Sequence, residues 1–113
     1  MDSILTSVKI LCGGITADNA AFDDEIIMYI NSVFFGLWQL KVGPEKVFKV
    51  TGVTETWDEF LPEDDELSEV VKIYVGSKVR HRFDPPTNSN VMNALLETIK
   101  ECEWRINETA ELK

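Results

Sequence analysis

Prolines at positions 44, 62, 85 and 86 partition this chain, and between them the apolar residues recur mostly at helical spacing rather than in strand alternation. A proline inside a helix removes a backbone donor and crowds the preceding turn, so helices must stop at or before these points. The pattern predicts an all-α fold: a small helical bundle of about four helices with an irregular crossover, in a single domain over residues 1–113. Folding of a chain this long buries roughly two-thirds of its surface, enough for a core without metal or disulfide staples.

Ile4, Leu5, Val8, Leu11 and Cys12 mark a short first helix, with Ser3 able to cap it and Gly13-Gly14 able to stop it. A longer helix is expected from Asp23, as N-cap, to about Val42. Asp24 and Glu25 occupy its first turn, Phe22 is placed to staple over Ile27, and Gly43 fits the left-handed position before Pro44. Projection puts Ile26, Ile30, Val33, Phe34, Leu37 and Leu40 on one face, with Met28 and Phe35 nearly opposite. Two apolar faces need two partners. One is the core; the other is a second layer of the same domain or a neighbouring subunit, and spacing leaves both open.

Between Pro44 and Pro62 the helical period disappears. Residues 46–52 read as a short extended segment turning at Gly52, and Thr56-Trp57-Asp58-Glu59 as a capping box followed by a turn or two of helix. Trp57 anchors this crossover, which is either a functional arm or a packed cover. The third long helix is expected from about Glu63 to Phe83. Leu67, Val70, Val71, Tyr74, Val75, Val79 and Phe83 cover more than half its circumference, as in the central helix of a bundle. Gly36 and Gly76 are expected to mark the crossing of the two long helices. Asp84-Pro85-Pro86 ends the third, and Thr87 is expected to cap the last, which runs to about Asn107 with Val91, Leu95, Ile99, Cys102 and Ile106 inward. Trp104 projects from its polar side, either as an interface anchor or lying flat under the crossover.

Charge and residue inventory exclude several classes of function. With 20 acidic and 11 basic residues the net charge is −9, whereas DNA binding is driven by phosphate neutralisation with Lys and Arg. The distribution is uneven: eight acids and no base from Glu55 to Glu69, then four Lys or Arg and no acid from Lys72 to Arg82. A solvated helix that complements its own macrodipole accounts for this, and a partner-binding patch is the other reading. Cys12 and Cys102 lack companions at metal-ligand spacing and read as buried free thiols. His81, between Arg80 and Arg82, sits in a cationic setting unsuited to a general base or a metal ligand, and reads as a surface or interface residue. The carboxylates from Asp58 to Glu66 have no His or Cys beside them and no calcium-loop glycine. No enzyme, metal or cofactor is therefore expected. No apolar run approaches the ~20 residues of a membrane span, and Met1-Asp2-Ser3 has no basic leader region, so neither a membrane segment nor a signal peptide is expected and synthesis in a cytoplasm is.

The later part of the chain carries a resemblance. Val75, Lys78, Val79, Arg82-Phe83-Asp84-Pro85-Pro86-Thr87, Val91-Met92, Ala94, Ile99-Lys100-Glu101 and Glu103-Trp104-Arg105-Ile106-Asn107 together resemble the phage and prophage head-tail connector family, also called adaptor or head-completion proteins. Ile30-Asn31-Ser32-Val33-Phe34, Val42-Gly43-Pro44 and Thr56-Trp57-Asp58-Glu59-Phe60-Leu61 fit the same family in the same order. One departure is Asn88-Ser89-Asn90, where relatives usually carry small hydroxyl residues. The resemblance implies a virion structural protein with no catalytic residues: an all-helical subunit of a homo-oligomeric ring, dodecameric in the virion, docked between the portal protein and the tail or stopper. DNA would pass through its channel without specific binding, which suits the acid excess. Met28, Phe35, Trp104, Arg105 and His81 are the candidate subunit or partner contacts; Gly36, Gly76, Asp84, Pro85, Pro86, Thr87 and Trp57 are the structural positions. The competing reading is a cytoplasmic helical interaction module that binds one partner through Trp104 or the Met28/Phe35 patch.

Overall fold

The structure, a computed structural model, describes residues 3–16, 18–62 and 65–111. Met1 and Asp2, on which the leader reading rests, and Glu63, where the third long helix was expected to begin, lie outside the described residues. The fold is all-α. Among the described residues five helices follow in order: α1 (Ile4–Leu11), α2 (Asp23–Gln39), the single turn α3 (Trp57–Phe60), α4 (Ser68–Phe83) and α5 (Ser89–Glu111). Among the described residues no strand forms, only one antiparallel bridge between Ser3 and Thr56.

Helix α4 is central, packing against α1, α2 and α5, as its wide apolar arc implies. Ile4, Leu5 and Val8 of α1, Ile26, Ile30, Phe34 and Leu37 of α2, and Val71, Val75 and Val79 of α4 make the core. Ser3 caps α1, its hydroxyl accepting from the Thr6 amide at 3.3 Å.

The start of α2 departs from expectation. Asp23 lies inside the helix, and Phe22 stands at the cap position without a side-chain cap. The Asp23 carboxylate instead meets the Lys9 ammonium at 2.8 Å. Lys9 is 1% exposed, and a buried ammonium without a counter-charge is far costlier than an uncapped helix end. Phe22 turns edge-on to Phe83, with ring centroids 5.3 Å apart. We expect Asp23→Ala to cost about 1–3 kcal/mol, because the lysine stays buried after losing this carboxylate while Asp18 still attracts it. Lys9→Met should cost less than about 1.5 kcal/mol, since the remaining carboxylate reaches solvent. Urea unfolding of both variants checks this; a larger loss for Lys9→Met would contradict it.

The end of α2 is a Schellman closure. The Val42 amide donates to Leu37 O at 3.0 Å and the Lys41 amide to Trp38 O at 2.9 Å, with Lys41 at φ +63°. The left-handed position that closes the helix is thus Lys41, not Gly43, and the helix stops at Gln39 instead of Val42. Leu40, expected on the core face, is turned out into solvent. Gly43 has its own positive φ of 95°, and its missing side chain leaves room for the Phe60 ring.

The crossover is a packed cover. Phe34 holds it from below, with Phe60, Phe48 and Trp57 centroids at 4.5, 5.5 and 6.3 Å. Residues 46–52 join no sheet. Asn31 of α2 supplies the missing partner: its Oδ1 accepts from the Val50 amide at 2.7 Å and its Nδ2 donates to Val50 O at 3.0 Å. The bend at Gly52 is tied by Glu55, which accepts from the Thr51 hydroxyl at 2.7 Å and the Gly52 amide at 3.2 Å. The capping box forms as read, with Glu59 accepting from the Thr56 amide at 2.9 Å.

Helix α4 begins later than expected because Asp65 accepts from the Leu67 amide at 2.8 Å, a local turn that competes with helix. It ends at Asp84, as Pro85 and Pro86 require. Thr87 does not cap α5: Asn88 does, accepting from the Asn90 and Val91 amides at 2.9 and 3.2 Å. The departure from the connector pattern at Asn88-Ser89-Asn90 thus falls on the cap itself. Helix α5 then continues to Glu111, past the expected Asn107. The expected crossing at Gly36 and Gly76 is also corrected. Gly76 faces α1, where Leu11 occupies the space of its absent side chain, whereas nothing lies within 4 Å of that position at Gly36.

Candidate interaction surfaces

Helix α5 is 23 residues long but buries only Ile99, Cys102 and Ile106, because α4 is the one helix that supports it closely. Val91, which belongs to the inward stripe by its angle, is exposed, and so is Leu96. Trp104 is 64% exposed, which removes the reading in which it lies flat under the crossover. Beside it Arg105 is exposed and pairs with Glu101 one turn earlier at 2.8 Å.

On α2 the face opposite the core is bare. Met28 is 60% and Phe35 49% exposed, and Phe35 meets Trp38 at a centroid distance of 5.6 Å. Trp38 donates to Glu45 O at 2.9 Å, which holds its indole against the start of the crossover. This answers the question left open by the spacing: no second layer of the described residues covers the Met28/Phe35 face. A third bare area lies where α1 meets α4, with Ile10, Leu11 and Ile73 exposed.

Two grooves flank α4. One is lined by Leu11, Ile73, Gly76 and Leu95, with Lys72 and Arg80 at its edges. The other is mixed in polarity with cationic edges, bounded by Tyr29, Ser32, Val33 and Gly36 from α2 and by Tyr74, Lys78 and Arg82 from α4. A hollow of about 760 Å³ lies beside Trp38, Gly43 and Pro44, and among the described residues its charged lining is Lys41 and Glu45, both exposed. Among the described residues no group of three His, Cys, Asp or Glu could hold a metal ion, and no helix is long and apolar enough to cross a membrane.

The two buried thiols and the Tyr74 hydroxyl are held in their neutral forms. Burial, then the Asp84 carboxylate, pushes the Cys12 thiol up to about 11. Burial and then Glu101 raise Cys102. Tyr74 is pushed up to about 12 by burial and by Glu103, to which its hydroxyl donates at 3.2 Å. Neither thiol is a poised nucleophile. A raised folded-state pKa favours the native state until the unfolded chain begins to ionise. Stability is therefore expected to be level below pH 9.0 and to fall between about 9 and 11 through Cys12, and between 10.0 and about 12 through Tyr74. Denaturant midpoints across this range test it: Cys12→Ala should flatten the first part of the decline, and a midpoint unchanged to pH 11 would refute the assignment.

Against known families, residues 4–113 match the family model described as phage connector protein. The chain belongs to the phage connector protein family. No curated protein and no solved structure matches it. The connector's role is structural, as part of a phage particle. Of the five contact residues read from the sequence, Met28 and Phe35 share the outer face of α2, Trp104 and Arg105 lie on the far side of α5, and His81 is half-buried on α4. The connector does not gather them into one patch. Trp38, Ile10 and Ile73 were not singled out from the sequence. Trp38 follows Phe35 at helical spacing, a signal that was available; Ile73 is left exposed beside Leu11 in a groove along α4.

Proposed function

We propose that the protein is a head-tail connector subunit of the virion, assembling as a ring between the portal protein and the tail or stopper. The carrying observation is the surplus of apolar surface on separate faces of one small subunit. Met28 and Phe35 on α2, Ile10 and Ile73 near α1, and Trp104 on α5 are all about half exposed or more. Isolated exposed apolar residues are ordinary, but several such faces around one subunit suit a part with two lateral neighbours and axial contacts above and below. The role is architectural and not catalytic: the sulfur nucleophiles are neutral and buried, and His81 lies among arginines. The net charge of −9 leaves a DNA-conducting passage with no reason to hold phosphate.

Co-assembly tests this reading. Purified subunits mixed with portal protein are expected to sediment as a ring-on-portal complex, twelve-fold if it follows the family, and that complex is expected to leave duplex DNA unbound at low salt. Subunits that remain monomeric or dimeric in the presence of portals, while capturing one cytoplasmic partner, would instead establish an interaction module.

A further inference from the structure

Several of the described charged residues on the two runs flanking and filling α4 are already engaged. On the acidic side Glu55 holds the bend at Gly52, Glu59 closes the capping box, Asp65 shapes the turn before α4 and Glu69 pairs with Lys72 at 3.4 Å. Asp58 and Glu66 remain, both exposed and without an ion pair among the described residues. Val53, 56% exposed, belongs to the same crossover. On the basic side, Lys78 reaches Glu103 only at 3.9 Å, and Arg82 is exposed and makes no ion pair among the described residues. Both line the groove between α2 and α4, which also presents the hydroxyl-bearing Tyr29 and Ser32. Helical spacing places the bare Met28 and Phe35 just beyond Ser32 on the same helix.

The molecule thus carries exposed charge of opposite sign, acidic at Asp58 and Glu66 and basic at Arg82, with exposed apolar side chains on the crossover and on α2. The opposite charges sit at the two ends of α4: Glu66 precedes the helix and Arg82 lies near its end, about 24 Å along the axis at 1.5 Å per residue. A surface that complements a different surface of the same molecule makes a head-to-tail contact, and repeated rotation of that contact closes a ring. We propose that the cationic α2/α4 groove of one copy, with Lys78 and Arg82, receives the Asp58/Glu66 side of the crossover of the next copy. The occupant is a second copy of this chain because charge and apolar character match on both sides, whereas the rest of the acidic surface would repel a phosphate polymer. The inference rests on the ring reading above and names the contact that builds it.

Charge reversal tests it, since Asp58, Glu66 and Arg82 are exposed and their replacement should leave the fold intact, as circular dichroism and thermal melting would verify. In portal-templated assembly followed by sedimentation and native mass spectrometry, Arg82→Glu is expected to weaken association between copies by at least about tenfold. The double variant Asp58→Arg/Glu66→Arg should do the same. Combining all three changes in one chain, or mixing the two defective proteins, should restore assembly beyond the dimer. Arg82→Glu assembling like the unmodified protein, a combined variant that folds but stays defective, or restored species that stop at dimers would each overturn the contact. So would duplex DNA bound by the unmodified protein and released by Arg82→Glu with assembly unchanged, an outcome that would assign the groove to phosphate. Failure of the unmodified protein to assemble on portals would remove the ring reading and this contact together; normal assembly indifferent to the reversals would remove only the contact.

Discussion

Replacing Phe34 by alanine is expected to cost about 3–5 kcal/mol, a large share of the 5–15 kcal/mol that stabilises a typical domain. The ring is fully buried on α2 and touches three aromatic residues of the crossover: Phe60 at 4.5 Å, Phe48 at 5.5 Å and Trp57 at 6.3 Å between centroids. Truncation leaves a cavity where the neighbours cannot collapse, because Trp57 is held by its indole donating to the Ser7 hydroxyl at 3.2 Å and Phe60 by the backbone at Gly43. Phe34→Leu keeps most of the volume and should lose less, about 1–2 kcal/mol. Urea unfolding of the two variants decides the matter. A loss below about 1.5 kcal/mol for Phe34→Ala would show that the crossover does not depend on this anchor.

Gly43→Ala is expected to be the most damaging glycine substitution among the described residues, at about 2–5 kcal/mol. Two effects add. A φ of 95° puts an L side chain in a left-handed region at roughly 1–2 kcal/mol, and the added methyl falls on the Phe60 ring, an overpacking of about 1–3 kcal/mol. Gly36→Ala provides the opposite sign. It lies within α2 with nothing within 4 Å of the new methyl, so it should stabilise by roughly 0.5–1 kcal/mol through helix propensity alone. Thermal melts of the pair therefore separate in opposite directions from the unmodified protein. A harmless Gly43→Ala would mean that the turn after α2 and the Phe60 ring both yield easily.

The two glycines also show what a linear reading could reach. Both were visible as unusual positions, one beside a proline and one within a helix, but their roles depended on what lay opposite. The helices themselves were legible because their evidence is local: the Ser3 cap, the apolar spacing of α2 and α4, the Thr56/Glu59 box and the diproline stop all act within a few residues. Boundaries failed where a longer-range demand intervened. Asp23 left its capping role to neutralise Lys9, a residue fourteen positions earlier whose burial no periodicity announces. Asn31 took the place of a strand partner for Val50, so residues 46–52 needed no sheet. Asn88, and not Thr87, capped α5, a choice between adjacent residues that both cap helices well.

The interaction surfaces divide in the same way. That Met28, Phe35 and Trp104 lie away from the core stripe of their own helices follows from angle alone, and membership of the connector family followed from ordered motifs along the chain. Which of those faces stays bare is a property of the other helices. Helix α5 is supported only on one side, Ile73 lies exposed in a groove beside Leu11, and the crossover covers Phe34 rather than Phe35. Local sequence therefore determined the helices, their polarity and the family. Tertiary packing decided which apolar surface was left over, because burial depends on what stands opposite a side chain, and that neighbour is usually far away along the chain.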